Sequence, residues 1–152
     1  MADYFFDSSA LVKAYIAETG TNWVRTIVDD DQHQIYISQL TELEVIAALT
    51  RRFRIGDLTL PERDQAARDV RQDCASYFVI DLTNEIVEAA IDLALRHNLR
   101  AYDAAQLACA LKVTSVLSSN QRYTGLTLVS ADLELNDAST LEGFQIEDPN
   151  NH

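Results

Sequence analysis

Short apolar runs along the chain alternate with longer stretches in which apolar residues recur every three or four positions. Tyr4-Phe5-Phe6, Gln34-Ile35-Tyr36-Ile37-Ser38, Tyr77-Phe78-Val79-Ile80, Leu126-Thr127-Leu128-Val129 and Phe144-Gln145-Ile146 are brief and rich in aliphatic and aromatic side chains, so each predicts a strand. Between them, Leu11, Val12, Tyr15 and Ile16 fall at helical spacing, and a second helix, Asn22 to Asp29, follows Gly20. Leu40, Leu43, Ala47 and Ala48 mark one face of a third helix that is apolar almost all round. Thr59-Leu60-Pro61-Glu62 joins capping-box spacing to a Pro in the first turn and starts a helix running to about Ser76. Two more helices are expected at Asn84 to His97 and at Tyr102 to about Val113.

Strands separated by helix-length segments call for right-handed crossovers, so the fold expected is a three-layer α/β/α domain on a parallel sheet of about five strands. Residues 1–148 form this single domain and residues 149–152 a loose C-terminal tail. The ligand crevice of such a sheet lies beyond the carboxyl ends of the strands, where strand order reverses. Asp7 and Asp132 fall just past strand ends.

Composition narrows the class. At 152 residues and 47% hydrophobic content the chain can bury a core without staples, and it has no low-complexity or repeat segment. No basic leader precedes an apolar stretch, and no apolar run approaches the roughly 18 residues of a membrane span, so a cytoplasmic protein without membrane association is expected. Cys74 and Cys109 are isolated and read as small buried hydrophobes. The excess of 24 acidic over 12 basic residues gives a net charge of -12, so any nucleic-acid contact must use a local basic patch rather than the whole field.

Four acids stand out. Asp7, Asp103 and Asp132 each precede or open a helix-like stretch, where an Asp serves readily as an N-cap, and Gln106 gives Asp103 box-like spacing. Glu44 is harder to place blandly, because it falls within the stripe of Leu40, Leu43, Ala47 and Ala48, where an unpaired carboxylate is costly. Glu42 points elsewhere, since two residues turn a helix by about 200°.

Tyr4-Phe5-Phe6-Asp7-Ser8-Ser9, Ser38-Gln39-Leu40-Thr41-Glu42-Leu43-Glu44-Val45, Ala101-Tyr102-Asp103-Ala104-Ala105-Gln106-Leu107-Ala108 and Leu128-Val129-Ser130-Ala131-Asp132 occur in that order. Together they resemble the four motifs of the PIN-domain ribonucleases, in particular the VapC-like toxins of toxin–antitoxin pairs. The resemblance implies strand order 3-2-1-4-5 and a four-carboxylate site of Asp7, Glu44, Asp103 and Asp132. It also implies an RNA substrate, a small antitoxin with a basic segment, and a homodimer packed through helices. Asp7, Asp103 and Asp132 are then metal ligands, direct or through water, and Glu44 positions water or a second metal. Ser8 and Ser130 orient carboxylates.

The chemistry agrees with that pattern. Two like charges about 5 Å apart repel by roughly 3 kcal/mol at an effective dielectric of 20, a conflict that a divalent cation removes. An all-oxygen set suits Mg²⁺ or Mn²⁺, and His33, His97 and His152 have no ligand spacing. Arg51, Arg52 and Arg54, with Arg63, Arg68 and Arg71 on the next helix, are candidate phosphate contacts, and Lys13 a further one. Arg on a surface helix is equally often only solvated. Trp23 and Ile27 could meet an antitoxin or a second copy, or belong to the core.

Two other readings compete. In one the domain is a catalytically silent PIN-like binding module. In the other it is an Mg-dependent phosphatase of haloacid-dehalogenase type, which needs Asp-x-Asp after its first strand, whereas Asp7 is followed by Ser8-Ser9.

Overall fold

The computed structural model describes residues 1–152. Five strands, β1 (Asp3–Phe6), β2 (Gln34–Ser38), β3 (Phe78–Ile80), β4 (Leu126–Val129) and β5 (Gln145–Glu147), form one sheet in the order β3-β2-β1-β4-β5. Every pairing is parallel. The central strand β1 lies between β2 and β4, with Phe5 opposite Leu128 and Phe6 opposite Val129.

Because successive side chains of a strand face opposite sides, these pairs feed two cores. Phe5 and Leu128 pack with Ile86, Leu93, Leu107 and Leu135 under α5 (Asn84–His97), α6 (Ala101–Leu117) and α7 (Leu133–Leu141). Phe6 and Val129 pack on the other face with Leu11, Val24, Val45, Leu49 and Val70. These come from α1 (Ser8–Leu11), α2 (Thr21–Val28), α3 (Gln39–Arg54) and α4 (Leu60–Cys74). The chain leaves β1 toward β2 on one side and reaches β4 on the other. The order therefore reverses at the carboxyl end of β1, the place where a crevice opens in such sheets.

Local chemistry sets the boundaries. Thr59 caps α4 with the capping box expected, its Oγ1 accepting from Glu62 N at 3.3 Å while Glu62 Oε2 accepts from Thr59 N at 2.8 Å. Thr83 caps α5, which ends at Asn98 in the left-handed region, φ 55°. Cys74 and Cys109 are buried, and burial pushes both thiols up to about 12, so neither is a reactive thiolate. No helix is long and apolar enough to cross a membrane.

Four expectations need correction. The first helix is short, Ser8–Leu11, and passes into a 3₁₀ turn at Val12–Ala14. The helix expected to end near Val113 runs on to Leu117. The tail at residues 149–152 is packed rather than loose: Pro149–Asn151 form a 3₁₀ turn with Pro149 buried, and His152 stacks on Trp23 at 4.1 Å and 3°. Lastly, the buried face of α3 is Thr41, Val45 and Leu49, while Leu43 is 64% exposed. A helix that is apolar almost all round does not reveal its inner face by periodicity.

One ion-pair cluster gives a test of packing between α5 and α7. Glu142 accepts from Arg96 at 2.6 Å and pairs with His97 Nε2 at 2.7 Å, and these bonds hold its carboxyl below the ordinary glutamate value, against a smaller upward push from burial. A depressed carboxyl contributes stability that is present above its unfolded pKa and lost as pH falls through the folded one. Glu142→Gln is therefore expected to lose about 1 kcal/mol at pH 7 in urea unfolding, with the difference from wild type shrinking as pH falls below the ordinary glutamate value.

Candidate functional site

Asp7 follows β1 directly and caps α1, its Oδ1 accepting from Ala10 N at 3.1 Å. It does more than cap. Ser9 Oγ lies 2.7 Å from Oδ1 and 3.0 Å from Oδ2, and Ser130 Oγ donates to Oδ2 at 3.1 Å. The residue is 1% exposed, and burial pushes its carboxyl up to about 7. The bonds from Ser9, Ala10 and Ser130 oppose that shift, and the charge of Asp103 adds to it.

Asp132 caps α7, accepting from Leu135 N at 3.0 Å, and its own N–H donates to Ser130 Oγ at 3.0 Å. Ser130 therefore bridges the strand-end acids Asp7 and Asp132. Asn136 fixes this corner by donating to the Ser130 carbonyl at 2.9 Å.

Asp103 is not the cap of its helix. That position belongs to Arg100, which makes no side-chain cap bond, and Asp103 sits in the first turn at 5% exposure. Burial pushes its carboxyl up to about 6, with the charges of Asp132, Glu134 and Glu44 adding and Arg100 opposing. Capping alone does not account for an acid placed there.

Glu44 lies on the flank of α3 that faces α1, half-buried, with Oε2 accepting from Ser8 Oγ at 3.3 Å. Its carboxyl is raised by burial, against the hydrogen bond from Ser8, the nearby Tyr102 hydroxyl and the charge of Arg51. The correction to α3 changes the reason for singling it out. Glu44 is not a charge misplaced in an apolar stripe but an edge residue held by a hydroxyl.

Asp7 and Asp132 thus lie at the carboxyl ends of β1 and β4, and Asp103 is within electrostatic reach of Asp7, Asp132 and Glu44. No three His, Cys, Asp or Glu side chains are gathered closely enough here to enclose an ion. The donor set nonetheless fits a hard divalent cation. It is all oxygen, and burial with the neighbouring carboxylates raises Asp7 to about 7 and Asp103 to about 6, a repulsion that a cation would relieve.

Three serines hold these carboxylates. Ser130 donates to Asp7 and Ser8 to Glu44, while Ser9, not singled out from the sequence, holds Asp7 and accepts from Ala131 N at 2.9 Å. Tyr102 and Gln106 were also missed as site residues. Gln106 is fully buried and donates to Tyr102 Oη at 2.8 Å and Thr41 Oγ1 at 3.1 Å, so it is no capping partner of Asp103. Their spacing of four residues on the helix of Asp103 was the available sign.

The basic candidates sort sharply. Lys13 is 5% exposed, with Nζ 3.1 Å from Glu18 and 2.9 Å from the Thr19 carbonyl, so it does not face the crevice as a phosphate contact. Arg52 is held by Glu18 and Asp57, Arg63 by Asp64, and Arg71 by Glu42. Arg51 and Arg54 are exposed without an ion-pair partner, and Arg51 lies seven residues beyond Glu44 on the same helix face. Arg100, exposed at the start of α6, is a cation that the sequence reading did not single out.

A parallel sheet in the order 3-2-1-4-5 between two helical layers, with acids from four separate segments toward the carboxyl ends of its central strands, defines a class of α/β proteins, and comparison gives that class its name. Residues 4–141 match the PIN domain family model, and the chain belongs to the PIN-domain family. Ribonuclease VapC45 of Mycobacterium tuberculosis (strain CDC 1551 / Oshkosh) is 38% identical over 109 residues, covering 72% of this chain and 75% of the relative. Among solved structures, PAE2754 from Pyrobaculum aerophilum aligns with TM-score 0.67 at 21% identity, over 99% of this chain and 85% of that one. A toxin-antitoxin complex from Klebsiella pneumoniae aligns with TM-score 0.57 at 16% identity, over 85% and 86%.

Proposed function

We propose that the chain is an endoribonuclease toxin that depends on Mg²⁺ or Mn²⁺, and that a small antitoxin neutralises it. What supports this reading is that Asp103 lies within electrostatic reach of Asp7, Asp132 and Glu44 near the carboxyl ends of β1 and β4, in a chain similar to Ribonuclease VapC45. Asp7, Asp103 and Asp132 would hold the ion. When bound, such an ion supplies Lewis acidity for a water molecule and neutralises phosphate charge. Glu44 orients the water by accepting its proton in a hydrogen bond, while Ser9 and Ser130 keep the Asp7 carboxylate in one rotamer.

RNA must approach a chain of net charge -12, so the free cations nearest the acids matter most. Arg51 beyond Glu44 and Arg100 before Asp103 flank the crevice, and their charges reach those two acids. We assign them to phosphates on either side of the scissile one. The same acidity attracts a basic antitoxin segment into the crevice. Val87, Ile91 and Leu95, exposed by 45%, 47% and 78% at successive turns of α5, form the face assigned to a second copy. A monomer mass by light scattering at micromolar concentration would contradict that dimer.

The test is cleavage of a pool of tRNAs and structured RNAs by the antitoxin-free chain with Mg²⁺ or Mn²⁺, beside a chelator control and Asp103→Asn. Cleavage by wild type alone, and only with the metal, is expected. Equal inactivity of wild type and variant despite metal binding would favour the silent binding module, and cleavage surviving in the variant would sink the site assignment.

A further inference from the structure

We propose that Tyr102 and Gln106 are positioning residues which, through Ser8, hold the Glu44 carboxylate toward the crevice by a one-way relay of hydrogen bonds. The relay spans three helices: Gln106 and Tyr102 on α6, Ser8 at the start of α1, and Glu44 on α3.

Its direction follows from what each group can do. Gln106 Nε2 only donates, and it reaches Tyr102 Oη at 2.8 Å. The backbone N–H of Ser8 also only donates, and it reaches the same oxygen at 3.3 Å. Both acceptor positions of the phenol oxygen are thus filled, and its single proton goes to Ser8 Oγ. Ser8 Oγ, accepting from Tyr102, has its own proton left for Glu44 Oε2 at 3.3 Å.

The far end is anchored. Gln106 is fully buried, and its amide also donates to Thr41 Oγ1 at 3.1 Å, a buried residue on the inner face of α3. The Gln106 end of the relay is therefore tied, by a second and independent route, to the helix that carries Glu44. Glu44, half-buried at the edge of its helix, would otherwise be free to rotate away from the acids of the other segments. The relay presents it to the crevice as a hydrogen-bond acceptor.

The kinetic part of the test rests on the ribonuclease reading. It uses the full chain as wild type, Ser8→Ala, Tyr102→Phe, Gln106→Met and the Ser8→Ala/Tyr102→Phe double variant, with the Tm of each recorded. Each of the first two is expected to lower kcat by about 10-fold to 100-fold while KM for RNA moves less than about twofold. The double variant is expected to be no more than about threefold worse than the poorer single, because cutting the relay at either link releases the same carboxylate. Multiplying losses, or full activity in Tyr102→Phe, would overturn the proposal.

A second measurement needs no turnover. In the metal-free chain the Tyr102 hydroxyl proton is expected by NMR as a slowly exchanging signal, lost or shifted in Ser8→Ala and Gln106→Met. Its absence from wild type would overturn the relay whether or not RNA is cleaved. Its presence in a wild type that cleaves no RNA would instead overturn the ribonuclease reading and leave the relay standing.

Discussion

Asp7→Asn is expected to make the metal-free chain more stable and catalytically dead. The Asp7 carboxyl is raised to about 7 because burial at 1% exposure outweighs the hydrogen bonds it accepts. The sign follows from linkage. A carboxyl whose folded pKa lies above its unfolded value binds its proton more tightly in the folded state, so folding loses stability as pH rises through that range. At pH 8 the ionised group is a net burden, which Asn removes while its side-chain oxygen keeps the bond from Ala10 N. The Tm of the chelator-treated chain should rise by roughly 4–8 °C, the equivalent of about 2 kcal/mol for a domain of this length. Cleavage should fall by about 1000-fold or more, roughly 4 kcal/mol of transition-state stabilisation. A purely structural cap would behave in the opposite way, with lower stability and little change in activity.

Gly20→Ala is expected to be the most damaging single-methyl change in the chain. Gly20 sits at φ 88°, and a Cβ there would press into the Pro149 carbonyl oxygen and lie 2.7 Å from its carbonyl carbon and 2.8 Å from its Cβ. These atoms are mostly backbone, and a shift in them pulls on the 3₁₀ turn that seats His152 on Trp23. Steric conflict and an unfavourable φ act together, so a loss of about 3 kcal/mol, or roughly 6–12 °C in Tm, is expected. Trp23 fluorescence should change with it as the stack opens. A Tm within a degree of wild type and an unchanged Trp23 spectrum would refute the packed tail.

The sequence exposed the scaffold more readily than the machinery. β2 and β4 are where their apolar runs put them, and α5 begins and ends at its Thr83 cap and Asn98 turn, because those signals are local. The inner face of α3 was hidden because Leu43 and Ala47 are as apolar as the residues that are buried, and only the sheet decides between Thr41, Val45, Leu49 and the other flank. The motif resemblance pointed to the acids and to Ser8 and Ser130 as their partners, but not to which carboxylate each serine holds, nor to Ser9, Tyr102 and Gln106. Ser130 reaches Asp7 across 123 residues and Tyr102 reaches Ser8 across 94, and no spacing rule spans such intervals. Adjacent Ser8 and Ser9 look alike in the sequence, yet they face different carboxylates once α1 begins to turn. Lys13 looked free because its partner, Glu18, lies beyond the end of the 3₁₀ turn.

The central claim, that these carboxylates form one divalent-cation centre, is tested most directly by titrating Mn²⁺ into chelator-stripped wild type and Asp103→Asn by calorimetry in two buffers of different ionisation enthalpy. With Asp7 raised to about 7 and Asp103 to about 6, the wild type should bind the ion with release of protons near neutral pH, more tightly as pH rises. Asp103→Asn should bind at least about tenfold more weakly and release fewer protons. Equal affinity and equal proton release in the two proteins, or no binding by the wild type at millimolar Mn²⁺, would contradict it.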